Sequence, residues 1–191
     1  MLERLNYPAQ TEKAIASFIG EGMRNLVEQC IGTREPAKVT RAVAVFRTHY
    51  WKNCTRFTRV YPGVRPLLRA LRERPMAVVT NKPSLPSHRI LRHQKIQCFF
   101  QVVCGGETVE PRKPHPAPLL YSLKKLKVPP QNALFIGDSE VDARAGRAAG
   151  VVTIGILNGI GSRHHLKRAK PDYQVHHIRE ILPLLKRKGL L

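Results

Sequence analysis

Four side chains of this sequence have the types and spacing to hold a phosphate and a hard divalent cation: Thr80, Lys113, Asp138 and Asp142. Asp138 and Asp142 lie in Ala133-Leu-Phe-Ile-Gly-Asp-Ser-Glu-Val-Asp142, where a short apolar run ends in Gly-Asp and an Ala-rich segment follows up to Gly150. The run reads as a buried strand, and the Ala-rich segment as a helix with glycine just past its last turn. Asp138 then stands at the carboxyl end of a strand, where open α/β sheets place their ligands. Thr80 closes Ala77-Val-Val-Thr-Asn81, which puts a hydroxyl and the backbone amide of Asn81 at a second strand tip. Lys113 lies in Pro111-Arg-Lys-Pro-His-Pro116, a proline-stiffened loop that opens a helix. A hydroxyl, an ammonium and two carboxylates at one sheet edge suit Mg²⁺, which takes one or two carboxylates together with waters and substrate phosphate.

Each signal has an ordinary alternative. A threonine at a strand end is a common turn residue, and a lysine between prolines is commonly solvated. Gly-Asp-Ser after a strand can be a plain helix cap. The cap reading accounts for one carboxylate, but not for the second at i+4 nor for the other two segments.

The elements that must position these residues are legible in outline. Residues 11–60 read as helical, with Thr11 as a cap, a Gly20-Glu-Gly22 interruption, and Val39, Val43, Phe46 and Tyr50 at helical spacing. From Tyr61-Pro-Gly63 onward the pattern alternates. Helices are expected at Leu67–Arg74, Ile90–Ile96, 116–127 and Ile178–Leu185, and strands at Met76–Thr80, Phe99–Cys104, Ala133–Ile136, Val151–Ile156 and Tyr173–Val175. Strands alternating with helices imply an α/β domain with a Rossmann-like parallel sheet and helices on both faces. The expected division is a helical unit at 1–60 and an α/β core at 61–191.

Composition narrows the class. The 191 residues carry 33 Lys and Arg against 13 Asp and Glu, a formal charge of +20. Such a charge attracts nucleic acid or anionic metabolites. The basic residues are spread along the chain and no RNA-binding aromatic signature accompanies them, so a dedicated nucleic-acid partner is not expected. No apolar run approaches the roughly 18 residues of a membrane span, and Met1-Leu-Glu-Arg-Leu-Asn6 lacks the profile of a signal peptide. The four cysteines form no C-x-x-C pair. Free thiols in a reducing cytoplasm are the expectation, and the histidine pairs at 164–165 and 176–177 are read as surface residues.

Taken together, three segments resemble the haloacid dehalogenase superfamily, and most closely its bacterial phosphoglycolate phosphatases. Thr80-Asn-Lys-Pro83 resembles the second motif of that family. Gly105-Gly-Glu-Thr with Arg112-Lys-Pro-His-Pro-Ala-Pro-Leu-Leu120 resembles the third, and Gly137-Asp-Ser-Glu-Val-Asp142 the fourth. The resemblance implies a haloacid dehalogenase type core, with a helical cap over the site at Phe18-Ile-Gly-Glu-Gly22. It implies a small phosphorylated substrate such as 2-phosphoglycolate, and Mg²⁺ as cofactor. By the same resemblance Thr80 and Asn81 would bind phosphate oxygens, and Lys113 would neutralise charge between phosphate and nucleophile. Asp138 would coordinate the metal, Asp142 would hold the metal's water or orient Lys113, and Gly20 and Gly22 would let backbone approach the substrate.

One motif has no counterpart. The family's reaction starts from a D-x-D-G-T sequence at the end of a central strand, whose first aspartate attacks phosphorus and whose second acts as acid and base. In this chain the first aspartate is Asp138. Glu3, Glu12 and Glu21 are the nearest acidic residues, all expected in cap helices and none after a strand. The Met76–Thr80 and Ala133–Ile136 strands are therefore expected either to leave a slot near 10 Å wide or to pair directly. If four buried side chains are lost with the strand, the deficit is about 8 kcal/mol. Two expectations remain open: a truncated form of a phosphatase, inactive as given, or a degenerate homologue that binds phosphate, a protein partner or nucleic acid through its basic surface.

Overall fold

The computed structural model describes residues 1–191. Its first part is helical. Glu12–Ser17 (α1) starts at Thr11, whose hydroxyl oxygen accepts the Ala14 N–H at 3.2 Å. Met23–Ile31 (α2) and Pro36–Asn53 (α3) pack on each other. Their contact buries Val27, Ile31, Val39 and Ala42, with Met1, Leu2, Leu5 and Tyr7 against them. The boundary expected near residue 60 falls in the stretch between α3 and the next helix, Val64–Ala70 (α4).

From there helices and strands alternate. Ala77–Val79 (β1) leads to Ser84–His93 (α5), then Val102–Cys104 (β2) and Ala117–Leu126 (α6). Leu134–Gly137 (β3), Glu140–Ala149 (α7), Val152–Ile156 (β4), Arg163–Arg168 (α8), Tyr173–Val175 (β5) and Ile181–Arg187 (α9) complete the chain. Gly150 ends α7 at φ +72°, the left-handed conformation that glycine adopts without penalty.

All strand pairs are parallel, but the sheet is in two pieces. β1 pairs with β2, while β4 stands between β3 and β5. No strand lies between β1 and β3, and they do not pair directly, so the slot is the arrangement adopted. Burial follows. Thr153, Ile154 and Gly155 at the centre of β4 are buried, whereas every residue of β1 and β3 is only half-buried.

Helices hold the two pieces in one layer. On one face α4 sends Leu67 to the cluster of Ile154, Val175 and Ile181, and Leu68 to Leu91 and Ile96 beside Val78. On the other face Leu119 of α6 and Ala145 of α7 pack with Val79 and Phe135, one from each piece.

One side chain extends a ladder where the strand itself stops. Asp172, just before β5, accepts the Thr153 N–H at 2.7 Å and its hydroxyl at 2.5 Å, and its own N–H donates to the Thr153 oxygen at 2.9 Å. The Thr153 hydroxyl is the leading cause of an Asp172 carboxyl pKa held below the ordinary carboxylate range. A folded-state pKa below the unfolded one adds stability that is fully present above the ordinary value and is lost as pH falls through the lowered one. Asp172→Ala leaves two buried donors of Thr153 without their acceptor. The expected cost is about 1–3 kcal/mol at pH 7, with the difference from wild type narrowing below about pH 4. Urea melts of both proteins across that range check it, and a difference independent of pH would contradict it.

Three local expectations are corrected. α5 starts at Ser84 rather than near Ile90, because the Glu107 carboxylate accepts the Ser84 N–H at 2.9 and 3.0 Å and supplies a cap from elsewhere in the chain. α8 was not expected, having Leu166 as its one buried residue and a cap from Ser162. Glu21 is not helical: it sits in the turn between α1 and α2.

Candidate active site

The third and fourth of the chemistry-bearing segments meet through one buried ion pair. Lys113 Nζ lies 2.6 Å from Asp142 Oδ1, with side-chain exposures of 8% and 13%. The same ammonium donates to the Val79 carbonyl at 2.8 Å, at the carboxyl end of β1, and stands 5.2 Å from the centre of the Phe135 ring of β3. Lys113 thus spans the carboxyl end of the slot, bound to β1 on one side and to the β3–α7 turn on the other.

Asp142 is held in turn by the start of α7. Its Oδ2 accepts the Ser139 hydroxyl at 2.6 Å, the Ser139 N–H at 3.2 Å and the Asp138 N–H at 3.3 Å. Ser139 Oγ accepts the Asp142 N–H at 3.2 Å, which closes a capping box. This corrects the argument that a cap leaves the second carboxylate unexplained. Counted from Ser139 rather than Asp138, Asp142 is the i+3 member of the box. Both Asp142 oxygens are engaged by donors, and of the two roles expected for it, orienting Lys113 is the one this geometry serves.

Asp138 is placed differently. Its Oδ2 accepts the Ile160 N–H at 2.8 Å from the loop after β4, and its Oδ1 makes no hydrogen bond within the protein. The donor set for a cation is therefore one carboxylate with a free oxygen, and no cluster of three His, Cys, Asp or Glu side chains surrounds it. One carboxylate completed by waters and phosphate oxygens is within the range that Mg²⁺ accepts, so the residues fit that ion in outline.

At the tip of β1, Thr80 Oγ1 accepts the Lys82 N–H at 3.1 Å, which leaves its hydroxyl proton free. The Thr80 N–H is used in the ladder to Cys104, and the next N–H, that of Asn81, has no partner. The buried Asn81 side chain is structural: its amide donates to the Lys113 carbonyl and to the Gly20 carbonyl, both at 2.9 Å. Sequence reasoning missed this tie, because nothing local to Asn81 indicates an acceptor 61 residues away. Gly20 therefore reaches the site through its carbonyl. Gly22, at φ +96°, backs onto Arg112: a Cβ there would stand 3.0 Å from the Arg112 guanidinium. Lys82 adds a second tie to the helical part, with Nζ 2.5 Å from the Tyr50 hydroxyl.

The sequence pattern over residues 1–156 matches the family model of haloacid dehalogenase-like hydrolases. The chain belongs to the haloacid dehalogenase-like hydrolases. It is 34% identical to a phosphoglycolate phosphatase of Pseudomonas putida over 191 residues, spanning 96% of this chain and 70% of that one. With a phosphoglycolate phosphatase of Haemophilus influenzae it shares 31% identity over 194 residues, 96% of this chain and 87% of the relative. Among solved structures, a predicted phosphoglycolate phosphatase from Haemophilus somnus superposes with a TM-score of 0.89 at 29% identity, covering 96% and 86% of the two chains. A β-phosphoglucomutase from Clostridium difficile, at 18% identity and a TM-score of 0.80, shares the fold. No helix of this haloacid dehalogenase-like hydrolase is long and apolar enough to cross a membrane.

Proposed function

We propose that this chain carries the phosphate- and Mg²⁺-binding half of a phosphomonoesterase site for a small substrate of the 2-phosphoglycolate type, and that its 191 residues do not complete the covalent chemistry. The observation that carries the reading is the Lys113–Asp142 pair. It is a buried ammonium held at one sheet edge, beside a free Thr80 hydroxyl proton and a free Asn81 N–H.

In this reading the Thr80 hydroxyl and the Asn81 N–H donate to phosphate oxygens. Lys113, oriented by Asp142, offsets the charge of the phosphoryl group in a site shielded from water, where a fixed charge acts most strongly. Asp138 Oδ1 is the residue that would hold Mg²⁺, which when bound supplies further neutralisation of phosphate charge. Arg112 and the Gly20–Gly22 turn bound the space open to the organic part of the substrate. No aspartate precedes Asp138, and Glu3 and Glu12 lie in the helical part, so apart from Asp138, which this reading gives to the metal, and Asp142, which is paired with Lys113, no carboxylate stands beside the slot to act as nucleophile.

Calorimetric titration with inorganic phosphate in the presence of Mg²⁺ tests the reading. Thr80→Val removes one donor to an anion, a contact worth about 1.5–3 kcal/mol, so affinity should fall roughly 10- to 100-fold. Affinity unchanged in that variant, or phosphate that fails to bind the wild type at millimolar concentration, would overturn it.

A further inference from the structure

Arg112 stands at the candidate site with no chemistry yet assigned to it. It precedes Lys113 in the proline loop, and its guanidinium is held in place. Its Nε donates to Glu110 Oε1 at 3.1 Å. Its Nη1 lies against the Gly20–Gly22 turn: a Cβ on Gly22 would stand 3.0 Å from Nη1 and 3.5 Å from the Asn81 carbonyl oxygen. Gly22 has φ +96°, so any other residue there is strained. Asn81 fixes the backbone on both sides of the guanidinium, since its carboxamide donates to the Gly20 and Lys113 carbonyls.

This arrangement leaves Nη1 and Nη2 without an acceptor in the protein. As a stabilising ion pair, Arg112–Glu110 contributes little, because both side chains reach solvent. Its effect is on orientation: Glu110 takes Nε, and the other two nitrogens remain beside the turn. Glu110 is itself 64% exposed, so water screens its charge. A planar guanidinium with paired donors matches a carboxylate in a way that an ammonium does not. The other cations at this edge are engaged. Lys82 has its ammonium on the Tyr50 hydroxyl and over the Tyr50 ring, and Lys113 is committed to Asp142 and Val79.

We propose that Arg112 is the specificity-determining residue of this site, its Nη1 and Nη2 binding a carboxylate carried by the organic part of the substrate. The inference rests on the phosphate reading above and narrows it. The site then selects phosphomonoesters with an acid group over those whose organic part is neutral. The two anions must also lie close together. Gly22 backs onto the guanidinium and onto the backbone of Asn81, whose N–H is one of the phosphate donors. A carboxylate a carbon or two from the ester oxygen suits that spacing, and a long chain between the anions does not.

The test is calorimetric titration of the 191-residue chain with 2-phosphoglycolate, ethyl phosphate and inorganic phosphate, each with Mg²⁺ at physiological ionic strength. The wild type should bind 2-phosphoglycolate about 10- to 100-fold more tightly than ethyl phosphate, the range of one charge-assisted contact. Arg112→Met should level those two affinities, weakening 2-phosphoglycolate far more than the other ligands. Arg112→Lys, which keeps the charge without the fork, should restore only part of the preference. Lys124→Met removes an exposed cation of α6 and should leave the preference intact. That control separates a contact from the general attraction of a more highly charged anion to a basic protein. Thr80→Val should weaken all three ligands together, and so reports on the phosphate reading alone. Inorganic phosphate that fails to bind while the preference stands would count against that reading and for Arg112. Equal affinities in the wild type, a preference that survives Arg112→Met, or an Arg112→Met that weakens all three ligands alike would overturn the proposal. No binding of 2-phosphoglycolate at millimolar concentration would overturn both.

Discussion

Purified as 191 residues and supplied with Mg²⁺ and 2-phosphoglycolate, this protein is expected to release phosphate about a millionfold more slowly than a working phosphatase. An ordinary enzyme turns over about ten times per second, and removal of a nucleophile costs a factor on the order of 10⁶. Binding the ground state does not offset that loss, since only groups that act more strongly in the transition state accelerate the reaction. Residual catalysis, if measured, should come from charge stabilisation by Lys113 and remain slow, because no acid stands ready to protonate the leaving oxygen. Phosphate release measured beside an Asp138→Asn control decides the matter. Turnover at ordinary rates, abolished by that control, would show that another residue attacks phosphorus.

The second large effect is on stability. Lys113→Met strips the partner from a buried carboxylate and the donor from the Val79 carbonyl, and breaking such a pair costs about 3–5 kcal/mol. For a chain of this size that corresponds to a melting temperature lower by about 10 °C. Adding Asp142→Asn to that variant removes the stranded charge while keeping an acceptor for Ser139. Part of the lost stability should return, with a coupling between the two sites that simple addition does not give. Phosphate affinity should not return with it. Calorimetric melts of the three proteins check this, and a single variant as stable as the wild type would show that the pair contributes nothing.

The same residues show where sequence is informative. The β3–α7 turn was legible because its signals are local: an apolar run, a Gly-Asp-Ser step able to cap a helix and a glycine close to the last helical residue. The separation of β1 from β3 was legible through an absent motif. The start of α5 was not, since the carboxylate that caps it is Glu107, 23 residues beyond Ser84. α8 was not, because one buried leucine among basic residues gives no periodicity. Asp142 was recognised for its charge and misjudged in its geometry, because counting from Asp138 hid the box it forms with Ser139. Convergence of Lys113 on Asp142 depends on the packing of α6 against α7, which no local pattern encodes.

The Asn81 carboxamide has a consequence for how the site opens. Its two protons hold the Gly20 carbonyl of the helical part and the Lys113 carbonyl of the proline loop, in a buried position. Any motion that lifts the Gly20–Gly22 turn strands one of those protons, at about 1–3 kcal/mol. The arrangement with the Gly20 carbonyl on Asn81 is thus favoured, and a ligand that needs the turn lifted must offset that cost. The same side chain sets the entrance and the loop that carries Lys113 against one fixed point at the tip of β1, so replacing it loosens both at once.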